Sequence, residues 1–262
     1  NCHDCGDVVE CWPRDRFDSL ELEVLFSISI NQPNWRSIVE LSILEKEAII
    51  MKKVILLGAT SNISAFLIPR LLEESDIELT LFARNASRRL LQYSDHNRVT
   101  LIDGNWNNLS DLETAINGQD IVYLATGHFT TANQNVVSTM KTDGVDRLIV
   151  AGGLGIYDEV AGKFGIWNAQ MMGDYTEIKR AAQVIDDSGL NYTFLRMAWL
   201  YNNDQHLDYK VIPQGTPFKD TQVTRQAVAK LIADIIKVPV LYQRTSIGVA
   251  EPNTAWDKPS FY

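Results

Sequence analysis

Val54-Ile55-Leu56-Leu57 runs directly into Gly58-Ala59-Thr60-Ser61-Asn62-Ile63-Ser64. An amphipathic helix follows over Ile63–Glu74, with Phe66, Leu67, Leu71 and Leu72 on one side. Few features constrain a fold more. A strand apolar at every position is buried on both faces and needs helices above and below to cover it. The glycine between strand and helix permits the tight turn that sends the chain back across the sheet. The alternation continues, with strands expected at Glu78–Ala83, Val99–Asp103, Ile121–Ala125, Arg147–Ala151 and Tyr192–Arg196. Further helices are expected at Leu109–Ile116, capped by Ser110, and at Asn133–Asp143, Tyr175–Ser188 and Thr224–Lys237. Strand and helix in this order predict an α/β fold built on a doubly wound parallel sheet.

In such a sheet, ligands sit at the carboxyl ends of the strands, so the strand-end residues carry the functional argument. Gly58 to Ser64 occupy the turn where a Rossmann-type fold cradles a pyrophosphate, with backbone N–H groups and the positive helix end facing the phosphates. Thr60, Ser61, Asn62 and Ile63 form that loop, and Ser61 and Asn62 are placed to cap the helix and add donors. Ser61 and Ser64 stand where the usual second and third glycines would be, and both are small enough for close approach. The second strand runs into Arg84, with Arg88 and Arg89 close behind. An acid there favours the free ribose of NAD, whereas a guanidinium suits a 2′-phosphate through charge-assisted bonds. Three arginines also make an ordinary solvated loop. Asp103-Gly104 ends the third strand, where Asp103 would reach an adenine amino group. Ala125-Thr126-Gly127 follows the fourth, where small residues leave room for a ribose. The expected cofactor is NADP(H) in preference to NAD(H).

Hydrophobic residues make up 45% of the 262 and charged residues 22%, the composition of a globular protein. No apolar run approaches the roughly 18 residues that span a bilayer, and the first residues lack a secretory-signal pattern. These features predict a cytoplasmic protein with no membrane association. The net charge is -9, and ten acids against four bases fall in residues 1–50, so the remainder is almost balanced. That balance gives no electrostatic reason to expect nucleic acid as a partner. All three cysteines, Cys2, Cys5 and Cys11, lie near the start. Their single C-x-x-C, with His3 inside it, is read as incidental thiols rather than as a zinc site. Residues 1–50 are expected to be an N-terminal extension, accessory or non-native, in which Ser37–Ile50 has helical spacing. Met51 reads as a natural start, and residues 51–262 as the nucleotide-binding domain.

Beyond these local arguments, the chain from Met51 onward resembles the atypical short-chain dehydrogenase/reductases, in their NAD(P)H-binding, NmrA-like branch. The resemblance rests on Val54–Thr60, Asp120-Ile121-Val122-Tyr123, Arg147-Leu148-Ile149-Val150 and above all Ser188-Gly189-Leu190-Asn191-Tyr192-Thr193-Phe194-Leu195-Arg196. Gly155-Ile156-Tyr157-Asp158-Glu159 and Lys163-Phe164 look like a bacterial oxidoreductase-like subgroup. The resemblance implies a Rossmann fold with a small C-terminal substrate-capping portion.

Short-chain dehydrogenases use Tyr-x-x-x-Lys, in which the tyrosine is the general acid for a carbonyl oxygen and the lysine lowers its pKa. Spacing i, i+4 places both side chains on one helical face. Tyr175-Thr176-Glu177-Ile178-Lys179 falls between the fifth and sixth strands, where that pair belongs. The serine or threonine usual after the fifth strand is absent, because the stretch reads Val150-Ala151-Gly152-Gly153-Leu154-Gly155. Tyr157 is one substitute donor, and a packing role is the other account of it. His128 stands after the fourth strand, near a nicotinamide if one binds. His96 and His206 have no apparent partners, so no metal site is expected. Asp158-Glu159 and Asp186-Asp187 read as solvated pairs. Trp199, Tyr201 and Phe218 line either an apolar substrate pocket or the core. No Gly-x-Ser-x-Gly elbow is present, which argues against an α/β-hydrolase.

The reading is an NADP(H)-dependent oxidoreductase acting on a small carbonyl or quinone-like substrate. The missing hydroxyl keeps open a non-enzymatic NADP(H)-binding sensor, and a nucleotide-sugar epimerase or dehydratase stands third.

Overall fold

The computed structural model describes residues 51–262. The expectations for residues 1–50, among them the Ser37–Ile50 helix and the cysteine cluster, lie outside the described residues. β1 (Lys52–Leu57) pairs in parallel with β2 (Ile77–Ala83) on one side and β4 (Ile121–Leu124) on the other. The pleat sends alternate side chains to opposite faces. Val54 and Leu56 therefore join one buried cluster and Ile55 and Leu57 the other. This two-sided burial is why the strand is apolar throughout.

With β3 (Val99–Asp103), β5 (Arg147–Gly152), β6 (Asn191–Met197), β8 (Lys210–Pro213) and β10 (Thr245–Ala250), the sheet reads β3-β2-β1-β4-β5-β6-β10-β8. The first six follow the Rossmann order, which places the switch point between β1 and β4. Every pairing is parallel except β10 with β8. The expected strands are all present, with edges moved by one or two residues.

α1 (Ser64–Glu73), α3 (Leu109–Ile116), α4 (Thr130–Asp143), α6 (Thr176–Asp186) and α7 (Arg225–Lys237) are the expected helices. The cap of α3 is Asn108 rather than Ser110: the Asn108 side chain accepts from the Ser110 N–H. Thr224 caps α7 through Ala227 N–H.

Some elements were not foreseen. α2 (Ala86–Arg89) is a single turn, and α5 (Gly162–Met172) precedes α6. Only Phe164 and Asn168 are buried on α5, so its apolar periodicity is faint in the sequence. β7 (Trp199–Tyr201) and β9 (Gln222–Thr224) form a separate two-stranded parallel pair. Together with β8 and the chain end they form the C-terminal portion beside β6. Among the described residues, no helix is long and apolar enough to cross a membrane.

Candidate cofactor cleft and active site

Gly58 takes φ +91, a conformation strained for residues with a side chain. A Cβ there would sit 2.8 Å from Ala125 Cβ and 3.1 Å from the Trp106 ring, so the turn also has no room for one. The turn is fastened from within. Ser64 Oγ donates to Gly58 O at 3.0 Å, Ser61 Oγ donates to Ser64 Oγ, and Ser64 N–H donates to Ser61 Oγ. The two serines that replace glycines thus close the loop, and the Ser61 hydroxyl is engaged inside it. Asn62 is exposed and Ile63 buried. The N–H groups of Thr60, Asn62 and Ile63 have no acceptor among the described residues, leaving donors free at the start of α1.

Beside this turn lies a cleft of about 480 Å³. Its walls are Gly58 and Thr60 from the first turn; Phe82, Ala83, Arg84 and Arg89 from the end of β2 and α2; Gly104 to Asn107 after β3; Phe129 to Ala132 at the start of α4; and Glu177 from α6. Arg84 and Arg89 line the cleft and make no ion pair among the described residues, so two cations face it, with Glu177 as the acid among the lining residues. Phosphates are the anions such a set of N–H groups and guanidinia can hold. The glycine cradle, the free donors and the cleft beside them fit the phosphates of a nucleotide cofactor.

Several site expectations are placed elsewhere. Asp103 is exposed and accepts from Ser87 Oγ at 2.6 Å, which fixes α2 to β3; its neighbours Gly104 and Asn105 line the cleft instead. Ala125 packs against Gly58, and Gly127 is buried against Val150 and Phe194, so neither lines the cleft, nor does Thr126. Trp106 was missed, since a tryptophan in a polar loop carries no periodic signal.

Tyr175 is the residue just before α6, and Lys179 N–H bonds back to Tyr175 O at 2.9 Å. Lys179 Nζ stands 6.0 Å from the centre of the Tyr175 ring and pairs with Asp158 at 2.7 Å. The two side chains do approach each other, while Glu177 between them is the one that lines the cleft. Glu177 also accepts from Thr130 N–H at 2.9 Å, which ties α6 to the start of α4. Burial raises the Tyr175 pKa; Asp158 and Glu159 reinforce this, and a hydrogen bond from Asn168 opposes it.

The loop after β5 holds corrections to the sequence reading. Glu159 is buried, not solvated: it pairs with Arg196 at 3.0 Å and accepts from Gly155 and Tyr157 N–H. Asp186 accepts from the hydroxyls of Tyr157 and Tyr192, so it too is no solvated carboxylate. That bond occupies Tyr157, which is therefore not a substitute donor. Phe218 is fully buried core, packed where a Gly248 side chain would go. Trp199 and Tyr201 are half-buried in an aromatic cluster with Trp167, Phe261 and Tyr262.

The histidines are partnered more than expected. His206 meets both Glu251 and Tyr201 at 2.9 Å, and His96 Nδ1 accepts from Arg98 N–H. His128 Nε2 is buried without a partner among the described residues and would lie 3.2 Å from a Cβ on Gly153. Among the described residues, no cluster of three His, Cys, Asp or Glu side chains could hold a metal.

The sequence profile of the NAD(P)H-binding family matches residues 58–239. The chain belongs to this family. Among solved structures, a short-chain dehydrogenase/reductase from Veillonella parvula DSM 2008, in complex with NADP, is 34% identical with a TM-score of 0.76. That match covers 80% of this chain and 99% of that one. A Rossmann-fold NAD(P)-binding family protein from Shigella flexneri is 35% identical with a TM-score of 0.68, covering 81% and 100% of the two chains. An anaerobillin reductase from Escherichia coli O157:H7 is 18% identical with a TM-score of 0.63, over 77% and 98%, a likeness in fold alone. No curated protein matches the chain. As a family member, the chain has an NAD(P)H-binding domain on an oxidoreductase-type fold.

Proposed function

We propose that the protein is an NADPH-dependent oxidoreductase of the NmrA-like type that reduces a small carbonyl or quinone-like compound. The observation that carries the cofactor half is the pair of guanidinia, Arg84 and Arg89, in the same cleft as the Gly58 turn and without an ion pair among the described residues. An NAD site puts a carboxylate at the end of β2, where it would repel a 2′-phosphate; here the position is cationic. The NADP in the Veillonella relative supports the same choice.

When bound, NADPH supplies a hydride to the carbonyl carbon. The chain's own residues do the rest. The N–H groups of Thr60, Asn62 and Ile63 would hold the pyrophosphate, and Arg84 with Arg89 would hold the 2′-phosphate. Tyr175 releases its hydroxyl proton to the carbonyl oxygen, and Lys179 on the same helical face offsets the charge left on the phenol oxygen. Glu177 ties the start of α4 to α6 at the cleft wall. Residues 51–262 contain all of these groups and are proposed as the working domain, with residues 1–50 accessory to it.

Calorimetric titration with NADPH and NADH, followed by a carbonyl and quinone panel with the better cofactor, tests the proposal. Tighter NADPH binding and consumption with at least one panel member are expected. Equal affinities would overturn the cofactor choice. Binding without any turnover would favour the sensor over the enzyme.

A further inference from the structure

Asn168 is a buried amide, 2% exposed, on the inward face of α5. It lies between two aromatic side chains. Trp199 Nε1–H donates to Asn168 Oδ1 at 2.8 Å, and Asn168 Nδ2 donates to the Tyr175 hydroxyl oxygen at 2.7 Å. The direction of this chain is not arbitrary. An indole N–H can only donate, so the amide oxygen must face Trp199 and the amide nitrogen must face Tyr175. An amide nitrogen in turn can only donate, so the phenol oxygen receives. Among the described residues, nothing accepts the hydrogen of Tyr175.

We propose that Asn168, clamped by Trp199, is the positioning residue for Tyr175: it holds the phenol oxygen as an acceptor and leaves the hydroxyl hydrogen free to be given to substrate. This rests on the reading of Tyr175 as the proton donor. It also answers the absence of a hydroxyl at Gly152 and Gly153, because a second polar group reaches the donor from a different element. Gly155 confines the tyrosine from the loop side, since a Cβ there would lie 2.7 Å from the hydroxyl. The charged groups around Tyr175 are Lys179 on its own helix and Asp158 and Glu159 on the loop after β5.

Asn168→Asp tests the direction of the bond. It keeps the shape and the acceptor for Trp199, but presents an acceptor to Tyr175, which would then spend its hydrogen within the protein. In the full cofactor-free chain labelled at tyrosine Cζ, the Tyr175 resonance is assigned by its loss in Tyr175→Phe. Its titration midpoint is expected to move up by about one unit or more in Asn168→Asp, since the bond to the ionised form is lost and a charge is added. Trp199→Phe, which frees the amide to turn, is expected to move it the same way by less. With any panel substrate, kcat should fall at least about tenfold in Asn168→Asp while the KM for NADPH holds within about twofold. An unmoved Tyr175 titration in either folded variant overturns the proposal. Unchanged turnover in Tyr175→Phe overturns the donor reading instead, and the resonance still reports on the Asn168 bond.

Discussion

Arg196 and Glu159 form a 3.0 Å ion pair in which the two side chains are 0% and 4% exposed. Arg196 also donates to Ser246 Oγ and Ile212 O, so β6 holds the loop that follows β5. Breaking such a pair leaves a buried charge without compensation, which costs about 3–5 kcal/mol. Arg196→Met is therefore expected to lower unfolding stability by that amount, measured by urea denaturation. A loss below about 1 kcal/mol would show that the pair does not anchor the loop.

Gly58→Ala introduces a Cβ where Ala125 and Trp106 leave no space, on a backbone at φ +91. The left-handed strain alone is about 1–2 kcal/mol. The variant should melt earlier and bind NADPH at least about tenfold more weakly, since the turn must open to relieve the contact. Calorimetry alongside a thermal melt separates the two effects.

Replacing Arg84 and Arg89 together with alanine should weaken NADPH binding about 10- to 100-fold, the range for losing hydrogen bonds to a charged group. NADH affinity should hardly change. The parent's preference for NADPH should also shrink as salt is raised, because the cleft arginines are exposed to screening. Equal losses for both cofactors would place these arginines outside the 2′-phosphate site.

Tyr175→Phe should lower turnover at least about tenfold, as loss of a general acid does. The pH dependence follows from the direction of its shift. The donating form is the protonated one, and burial raises the pKa above the ordinary tyrosine value. Reduction should therefore be insensitive to this group from about pH 6 to 9 and decline only above pH 10. A decline in the Tyr175-dependent rate near pH 7 would contradict it.

His128 gives an opposite, acid-side effect. Burial lowers its pKa below the ordinary histidine value, so the folded protein holds it neutral while the unfolded chain takes up a proton first. The stability tied to this group is full above about pH 6.5 and is lost as pH falls from there through the lowered folded value. His128→Asn should flatten that part of the stability-versus-pH curve, followed by chemical denaturation at successive pH values.

The Rossmann core was legible because its signals are local. Val54–Leu57 is apolar at every position, and α1 and α3 carry clear periodicity. The second half was harder for physical reasons. β7 and β9 are three residues each, too short for a pattern, and α5 buries little beyond Phe164 and Asn168. Glu159 and Asp186 looked solvated because acids usually are; Arg196 and the Gly155 and Tyr157 N–H groups for the one, and the Tyr157 and Tyr192 hydroxyls for the other, make their burial tolerable. Strand-end glycines and Arg84 could be placed from order alone. Trp106 and Asn168 could not, since their roles depend on what the fold sets beside them.

Phe194 fills the space over Gly152 so completely that a Cβ there would fall 2.0 Å from its ring. A serine does not fit at position 152 by one substitution; Phe194 would have to shrink first. At Gly153 the nearest atom to an added Cβ is His128 Nε2, 3.2 Å away and without a partner among the described residues, a contact a small shift relieves. The order in which these two positions can accept a side chain is thereby constrained. A hydroxyl can be introduced at 153 in a single step, beside the His128 imidazole, while position 152 is closed until the core behind it is rebuilt.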